Sequence, residues 1–259
     1  IVFIHKKSEC KRAKPLILTH GWPGSVIEFI KIIDHLVNPI QNGGSENDAF
    51  NLVIPTLPGF GFAKKPSRRG WGVEKVAKAW TTLMKRLGYD SYYAQGGDWG
   101  SAITTQIGIS EVDFCKGLHL NMPLVHPSES IKTDMTEFEL KCMEAIDYYK
   151  TSDSGYSKIQ STKPQTIGYG LVDSPVALAT WIIDKFWQWT DCKGDLETAV
   201  GRQDLFDNIS YYWFSRTGAS SARFYWESFN KVTTSNEPVL IPSGVSIFPK
   251  EIFRASERW

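Results

Sequence analysis

Short apolar runs alternate with amphipathic helical patterns over the first half of the chain. Apolar residues recur at helical spacing over 26–37, where Ser25 and Glu28 form the pattern of a capping box, and again over 73–87, where Gly88 stands at the C-terminal cap position. The apolar runs predict buried strands at Ile1–Ile4, Leu16–Thr19, Phe50–Ile54, Tyr92–Gln95 and Lys116–Met122. This alternation is typical of an α/β fold with a mostly parallel sheet and helices on both faces.

Helical patterns dominate after Pro123. They are predicted over 135–149, 175–189, 205–214 and 220–229, and strand-like runs return at 239–241 and 245–248. A helical insert inside an α/β pattern predicts a cap folded over one end of the sheet. We therefore expect a core at 1–125, a helical cap at 126–237 and a return to the core at 238–259.

The composition excludes several classes of protein. Lys and Arg total 29 against 28 Asp and Glu, so the net charge of +1 gives no reason to expect nucleic acid as a partner. The four cysteines have no metal-ligand spacing, and no run approaches the length that spans a bilayer. No signal peptide is visible, and the sequence opens without Met, so we expect further residues upstream. The 34 aromatic residues fill a core or line an apolar substrate pocket.

The stretch QGGDWG places Asp98 at a predicted turn from strand to helix. Small residues two positions to either side, Gly96 and Gly100, are typical of the nucleophile elbow of the α/β-hydrolase fold. The alternative is that Asp98 only caps the helix. An aspartate held ionised by a helix N-terminus can attack a saturated carbon and form an ester, which suits an epoxide or an alkyl halide.

The stretch HGWPG follows the predicted strand that ends at Thr19. In this fold such a loop supplies an oxyanion hole, here from the backbone N–H groups of Trp22 and Trp99. His20 is then either a support for the loop or a general base.

Several ordered motifs resemble the microsomal-type epoxide hydrolases, including the juvenile hormone epoxide hydrolase branch of the α/β-hydrolase superfamily. They are HGWPGS, PTLPGFGFA, GGDWGS, HLNMPL, SGYSKIQSTKPQT, DSPVALATWI, ARFYWE and PSGVSIFPKEI. The resemblance implies an α/β-hydrolase fold with an inserted helical cap. It also implies conversion of a lipophilic epoxide to a vicinal diol through a covalent aspartyl ester, with neither a cofactor nor a metal ion.

The resemblance assigns roles to individual residues. It makes Asp98 the nucleophile, Tyr156 and Tyr225 the donors to the epoxide oxygen, and Glu251 the acid that orients a histidine. Considered without the resemblance, the tyrosines are packing residues and Glu251 lies at the surface. The triad order of the fold places the histidine after the acid, but the last histidine here is His126. We therefore expect the sequence to lack the closing segment of the family, and turnover to stall at the ester.

Two other functions stay open. A haloalkane dehalogenase shares the aspartate elbow, whereas a catalytically incomplete protein would bind apolar ligands without turnover. The resemblance further implies the cytosolic face of the endoplasmic reticulum membrane, reached through a segment outside these residues.

Overall fold

A computed structural model of the protein describes residues 1–232 and 237–259. Its sheet follows the order β1-β3-β2-β4-β5-β6, and every neighbouring pair is parallel except β1 and β3. The strands of the described residues are β1 (Phe3–Lys6), β2 (Lys14–Thr19), β3 (Phe50–Pro55), β4 (Tyr92–Gly96), β5 (Cys115–Asn121) and β6 (Ser243–Ser246). The predicted α/β class with a mostly parallel sheet is confirmed.

Alternate residues of the central strands face two different helical layers, as the two-residue period of a strand requires. Ile17 of β2 joins the larger cluster with Trp80 of α2 (Val73–Arg86) and Ile103 of α3 (Trp99–Ser110). Leu16 and Leu18 of β2 face the opposite layer. Because both faces are covered, β2 is buried from its third residue onward.

The helix predicted over 26–37 is divided into a 3₁₀ helix and a short α-helix. A 3₁₀ helix occupies Val26–Ile32, and α1 is only Ile33–Val37. Ser25 caps it by accepting a 3.2 Å hydrogen bond from the backbone of Ile27. The predicted capping box is wrong, because the carboxyl of Glu28 lies against Gly24 and near the backbone of Gly21.

Helices follow β5 through most of the remaining chain. They are α4 (Glu129–Lys132), α5 (Glu137–Tyr148), α6 (Gly155–Thr162), α7 (Pro164–Asp173), α8 (Pro175–Trp189), α9 (Arg202–Ser215) and α10 (Gly218–Val232). A single π-helical turn, Tyr149–Asp153, joins α5 to α6. Ser174 caps α8 through a 3.2 Å bond from Ala177, with Pro175 at the first turn, as the sequence predicts.

Two strand predictions at the C-terminal end need correction. The run at 239–241 is not a strand, and β6 occupies Ser243–Ser246, where only its second half was expected. The strand lies where the chain pairs in parallel with the end of β5, with Leu120 opposite Val245. The expected end of the cap at residue 237 adjoins 233–236, which lie outside the described residues.

Candidate active site

Asp98 stands on a sharp turn between β4 and α3. Its backbone adopts φ 53° and ψ −124°, a conformation that side-chain-bearing residues rarely accept. A Cβ atom on Gly96 would collide with the carbonyl oxygen of Gly100, and one on Gly100 would collide with that of Thr19. Only glycine fits at both places, so the turn holds Asp98 in a strained and defined position.

The Asp98 carboxyl does not cap its own helix. It makes no side-chain capping bond to α3 and instead accepts a 2.7 Å hydrogen bond at Oδ1 from the backbone N–H of Trp22. The N–H of Trp99, the first residue of α3, makes a weaker polar contact with it, which lowers the pKa of the carboxyl. The backbone N–H groups of Trp22 and Trp99 therefore approach one carboxyl from distant parts of the sequence.

The loop that carries Trp22 is fixed from behind by His20. This imidazole is fully buried, with Nδ1 2.9 Å from the carbonyl oxygen of Gly21 and Nε2 3.1 Å from the backbone nitrogen of Leu57. Burial lowers the pKa of His20 to about 4, so the ring is neutral at pH 7. Its Nδ1 donates and its Nε2 accepts, which leaves no lone pair for a substrate proton. His20 therefore supports the loop and cannot serve as the base.

Tyr156 and Tyr225 meet over the two tryptophans of this site. The ring of Tyr156 stacks on Trp22 at 5.1 Å and 10°. The ring of Tyr225 stands edge-on to Trp99 at 4.7 Å, and the two tyrosine rings are 5.8 Å apart. α6 supplies the first and α10 the second, and these helices pack against each other.

The Tyr225 side chain is 2% exposed, yet its hydroxyl has no hydrogen-bond partner among residues 1–232 and 237–259. Tyr156 and Trp99 make only weaker polar contacts with it. Burial and then the charge of Asp98 raise the pKa of Tyr225 well above its usual range. A buried phenol with an uncommitted proton thus lies within the electrostatic reach of the carboxyl.

Glu251 approaches Asp98 from the segment after β6. Its Oε1 accepts a 3.0 Å bond from the backbone N–H of Ile252, and burial raises its pKa. Its charge is one cause that raises the pKa of Asp98. A cavity of about 1120 Å³ opens beside both carboxyls and beside Trp22, whereas the rings of Tyr156 and Tyr225 do not line it.

Known proteins of similar sequence support the fold described above. A family model described as alpha/beta hydrolase fold matches residues 14–141. A "Putative epoxide hydrolase" of Stigmatella aurantiaca is 48% identical over 100% of this chain and 59% of its own length. "Epoxide hydrolase 1" of Oryctolagus cuniculus is 36% identical over 100% of this chain and 63% of its own length.

A solved structure is similar to this chain in three-dimensional fold. The juvenile hormone epoxide hydrolase of the silkworm Bombyx mori has a TM-score of 0.85 and 32% identity, over 97% of this chain and 65% of that chain. The chain has the α/β-hydrolase fold and is a homologue of the epoxide hydrolases. It spans about six-tenths of the length of the curated relatives that it matches.

The ionisation of Asp98 differs from the sequence-based expectation. Burial raises its pKa to about 7, although the bonds from Trp22 and Trp99 oppose the shift. The helix N-terminus and the two donors therefore do not keep the carboxyl fully ionised at neutral pH.

Sequence reasoning missed three residues of the site. Glu28 lines the cavity, and burial of its carboxyl and then the charge of Asp98 raise its pKa to about 8. Tyr149 has its hydroxyl 3.4 Å from that of Tyr156. Lys185 pairs with Asp153 at 2.5 Å, and its Nζ lies 5.1 Å from the ring centroid of Tyr156. Glu28 was interpreted as a capping residue, and no local pattern in the sequence marks the other two.

The described residues, 1–232 and 237–259, contain neither a cluster suited to a metal ion nor a single helix that could span a membrane. Within them, no group of three or more His, Cys, Asp or Glu side chains could hold a metal ion. In the same residues no single helix is long and apolar enough to cross a bilayer. The pair α7 and α8 reaches that length and composition only together, across a bend of 115°.

Proposed function

We propose that this α/β-hydrolase opens epoxides by direct attack of Asp98 on carbon. The observation that carries the proposal is the meeting of two buried phenols, Tyr156 and Tyr225, over the tryptophans whose N–H groups bind Asp98. Attack breaks the C–O bond of the epoxide, and the electron pair stays on oxygen. A phenol positioned at that oxygen supplies the proton, which typically contributes about 10²–10⁴-fold.

The next step is hydrolysis of the ester on Asp98. Water adds to the ester carbonyl, and the N–H groups of Trp22 and Trp99 stabilise the oxyanion that forms, which is the function of an oxyanion hole. We assign Glu251 as the acid that orients the base in this step. The resemblance places the base, a histidine, after Glu251, so residues 1–259 by themselves carry the alkylation step in this proposal.

The substrate we propose is a lipophilic epoxide, either a juvenile hormone-like terpenoid or a foreign hydrocarbon. The cavity beside Asp98 has apolar walls that include Leu18, Phe29, Phe186 and Trp189. A haloalkane dehalogenase would need donors to a halide, and the paired phenols favour an epoxide oxygen.

The proposal also covers organisation and location. Residues 1–125 and 238–259 would form the core, and 126–237 the cap that brings both phenols to Asp98. By family resemblance we place the complete protein at the cytosolic face of the endoplasmic reticulum membrane. Fractionation of cells that express the complete natural polypeptide tests this location, and recovery without membranes contradicts it.

The test of function is alkylation by styrene oxide, followed by intact mass and peptide mapping. We expect a mass increase of one epoxide molecule on the peptide that contains Asp98. Asp98→Ala should abolish it, and the exposed control Asp113→Asn should retain it. Adduct on Asp98→Ala, or none on the wild type, contradicts the proposal. Diol and halide release by the complete natural polypeptide distinguish an epoxide hydrolase from a dehalogenase.

A further inference from the structure

Tyr149 is a third phenol at this site. It begins the π-helical turn Tyr149–Asp153, a type of turn that often occurs at functional sites. Its ring is 8% exposed and packs against Phe253 at 5.4 Å. The turn lies between α5 and α6, and the hydroxyl of Tyr149 lies 3.4 Å from that of Tyr156.

A chain of hydroxyl groups fixes the direction of the hydrogen bonds. Ser157 donates from Oγ to the carbonyl oxygen of Ser154 at 2.9 Å, so Ser157 can only accept from its neighbour. Tyr149 donates to Ser157 at 3.0 Å. The oxygen of Tyr149 is therefore left to accept from Tyr156, 3.4 Å away. This contact is long for an O–H···O bond, as catalytic bonds often are before substrate binds.

Electrostatics place Tyr149 in the same cluster as the two expected donors. Burial raises the pKa of Tyr149, and the charge of Asp98 adds to the effect. Burial is also the largest cause that raises the pKa of Tyr156, and the nearby Tyr225 and Tyr149 raise it further. A phenolate at Tyr156 would therefore be buried among groups that destabilise its negative charge. It needs a hydrogen-bond donor to stabilise it.

We propose that Tyr149 is a positioning residue that stabilises the Tyr156 phenolate by turning its hydroxyl from Ser157 to Tyr156. The inference rests on the function proposed above. In the resting state Tyr156 donates to Tyr149, and when an epoxide binds it donates to the epoxide oxygen instead.

The alkylation of Asp98 by the epoxide conserves atoms and charge. Asp98 forms a C–O bond to the epoxide carbon, the ring C–O bond breaks, and the proton of Tyr156 moves to the new alkoxide. Tyr156 is left as a phenolate, and Tyr149 rotates its O–H bond to donate to it without losing its proton. A hydrogen bond to a charged group contributes about 1.5–3 kcal/mol, which corresponds to about 10- to 100-fold in rate.

The first experiment compares Tyr149→Phe with Tyr148→Phe. The Tyr148 side chain is 56% exposed, so the control removes an equivalent hydroxyl from the adjacent position. Stopped-flow tryptophan fluorescence with styrene oxide gives the dissociation constant and the alkylation rate constant separately. We expect Tyr149→Phe to lower the alkylation rate about 10- to 100-fold with an unchanged dissociation constant, and Tyr148→Phe to match the wild type. Equal alkylation rates for Tyr149→Phe and wild type overturn the proposal.

A second variant separates proton positioning from packing. Ser157→Ala removes the acceptor that holds the Tyr149 proton, so Tyr149 is left with Tyr156 as its partner. We expect alkylation at or above the wild-type rate. If Ser157→Ala slows alkylation as much as Tyr149→Phe does, the chain only supports the local structure and the proposal is wrong. A wild type without adduct refutes the proposed function, whereas a wild type that alkylates while Tyr149→Phe matches it refutes only the role of Tyr149.

Discussion

The backbone N–H of Trp22 donates a 2.7 Å hydrogen bond to Oδ1 of Asp98. The same tryptophan stacks its indole on the ring of Tyr156 at 5.1 Å. One residue thus contacts both the proposed nucleophile and one of the proposed proton donors.

The alkylation rate should rise with pH. Burial raises the pKa of Asp98 to about 7, so the reactive carboxylate is a minor species at pH 5 and the major one at pH 9. We expect half of the maximal rate near pH 7, measured as the initial rate of adduct formation with styrene oxide. A rate already at its maximum at pH 5 would show that Asp98 is ionised throughout.

Removal of the charge on Glu251 should move that profile to lower pH. Its charge is one of the causes that raise the pKa of Asp98, so Glu251→Gln makes ionisation of Asp98 easier. The measurement is the same pH profile, with the exposed residue Glu257 changed to Gln as the control. An unchanged midpoint in Glu251→Gln means that the two carboxyls do not interact.

Removal of one partner of the buried ion pair between Lys185 and Asp153 should destabilise the folded protein. Their side chains are 7% and 9% exposed, and Trp189 also donates to Asp153 at 2.7 Å. We expect Lys185→Met to lower the free energy of unfolding by about 3–5 kcal/mol, because it leaves a buried charge unpaired.

The double variant with Asp153→Asn should recover much of that loss. Urea unfolding of the wild type, the two single variants and the double variant gives the complete double-mutant cycle. Additive losses would show that the two side chains act independently, which the 2.5 Å contact does not predict.

A methyl group on Gly100 should disrupt the turn at Asp98. Gly100→Ala places its Cβ against the carbonyl oxygen of Thr19, a backbone atom that β2 holds in the sheet. We expect a loss of about 4 kcal/mol or failure to fold, measured by thermal unfolding. Gly155→Ala is the control, because its Cβ would meet no atom within 4 Å, and it should change stability by about 0.5 kcal/mol at most.

The sequence predicts those parts of the molecule that depend on local or repeated patterns. The turn at Asp98 needs glycine at 96 and 100 for steric reasons, and the central strands need apolar residues on both faces, so both can be recognised from the residues alone. α8 has its cap and its proline within the first two positions. These features require no knowledge of distant parts of the chain.

The features that were missed depend on contacts between distant or irregular segments. Glu28 has the spacing of a capping residue, but its carboxyl lies against the Gly21–Gly24 loop. α6 and α7 were not predicted, because Gly155, Pro164 and Gly168 interrupt their helical pattern. The pKa of Asp98 depends on burial by segments far away in sequence, so the turn alone gives the wrong ionisation state.

The stacking of Trp22 on Tyr156 restricts how substrate preference can be altered. A smaller side chain at 22 would widen the space above Asp98, but it would also release the ring of Tyr156 that rests on it. Selectivity is therefore more readily changed from α8, where Phe186 borders the cavity and makes no ring contact with either tyrosine in the described residues. Libraries aimed at Phe186 should yield new preferences in proteins that still react, whereas libraries at 22 should yield mostly inactive ones.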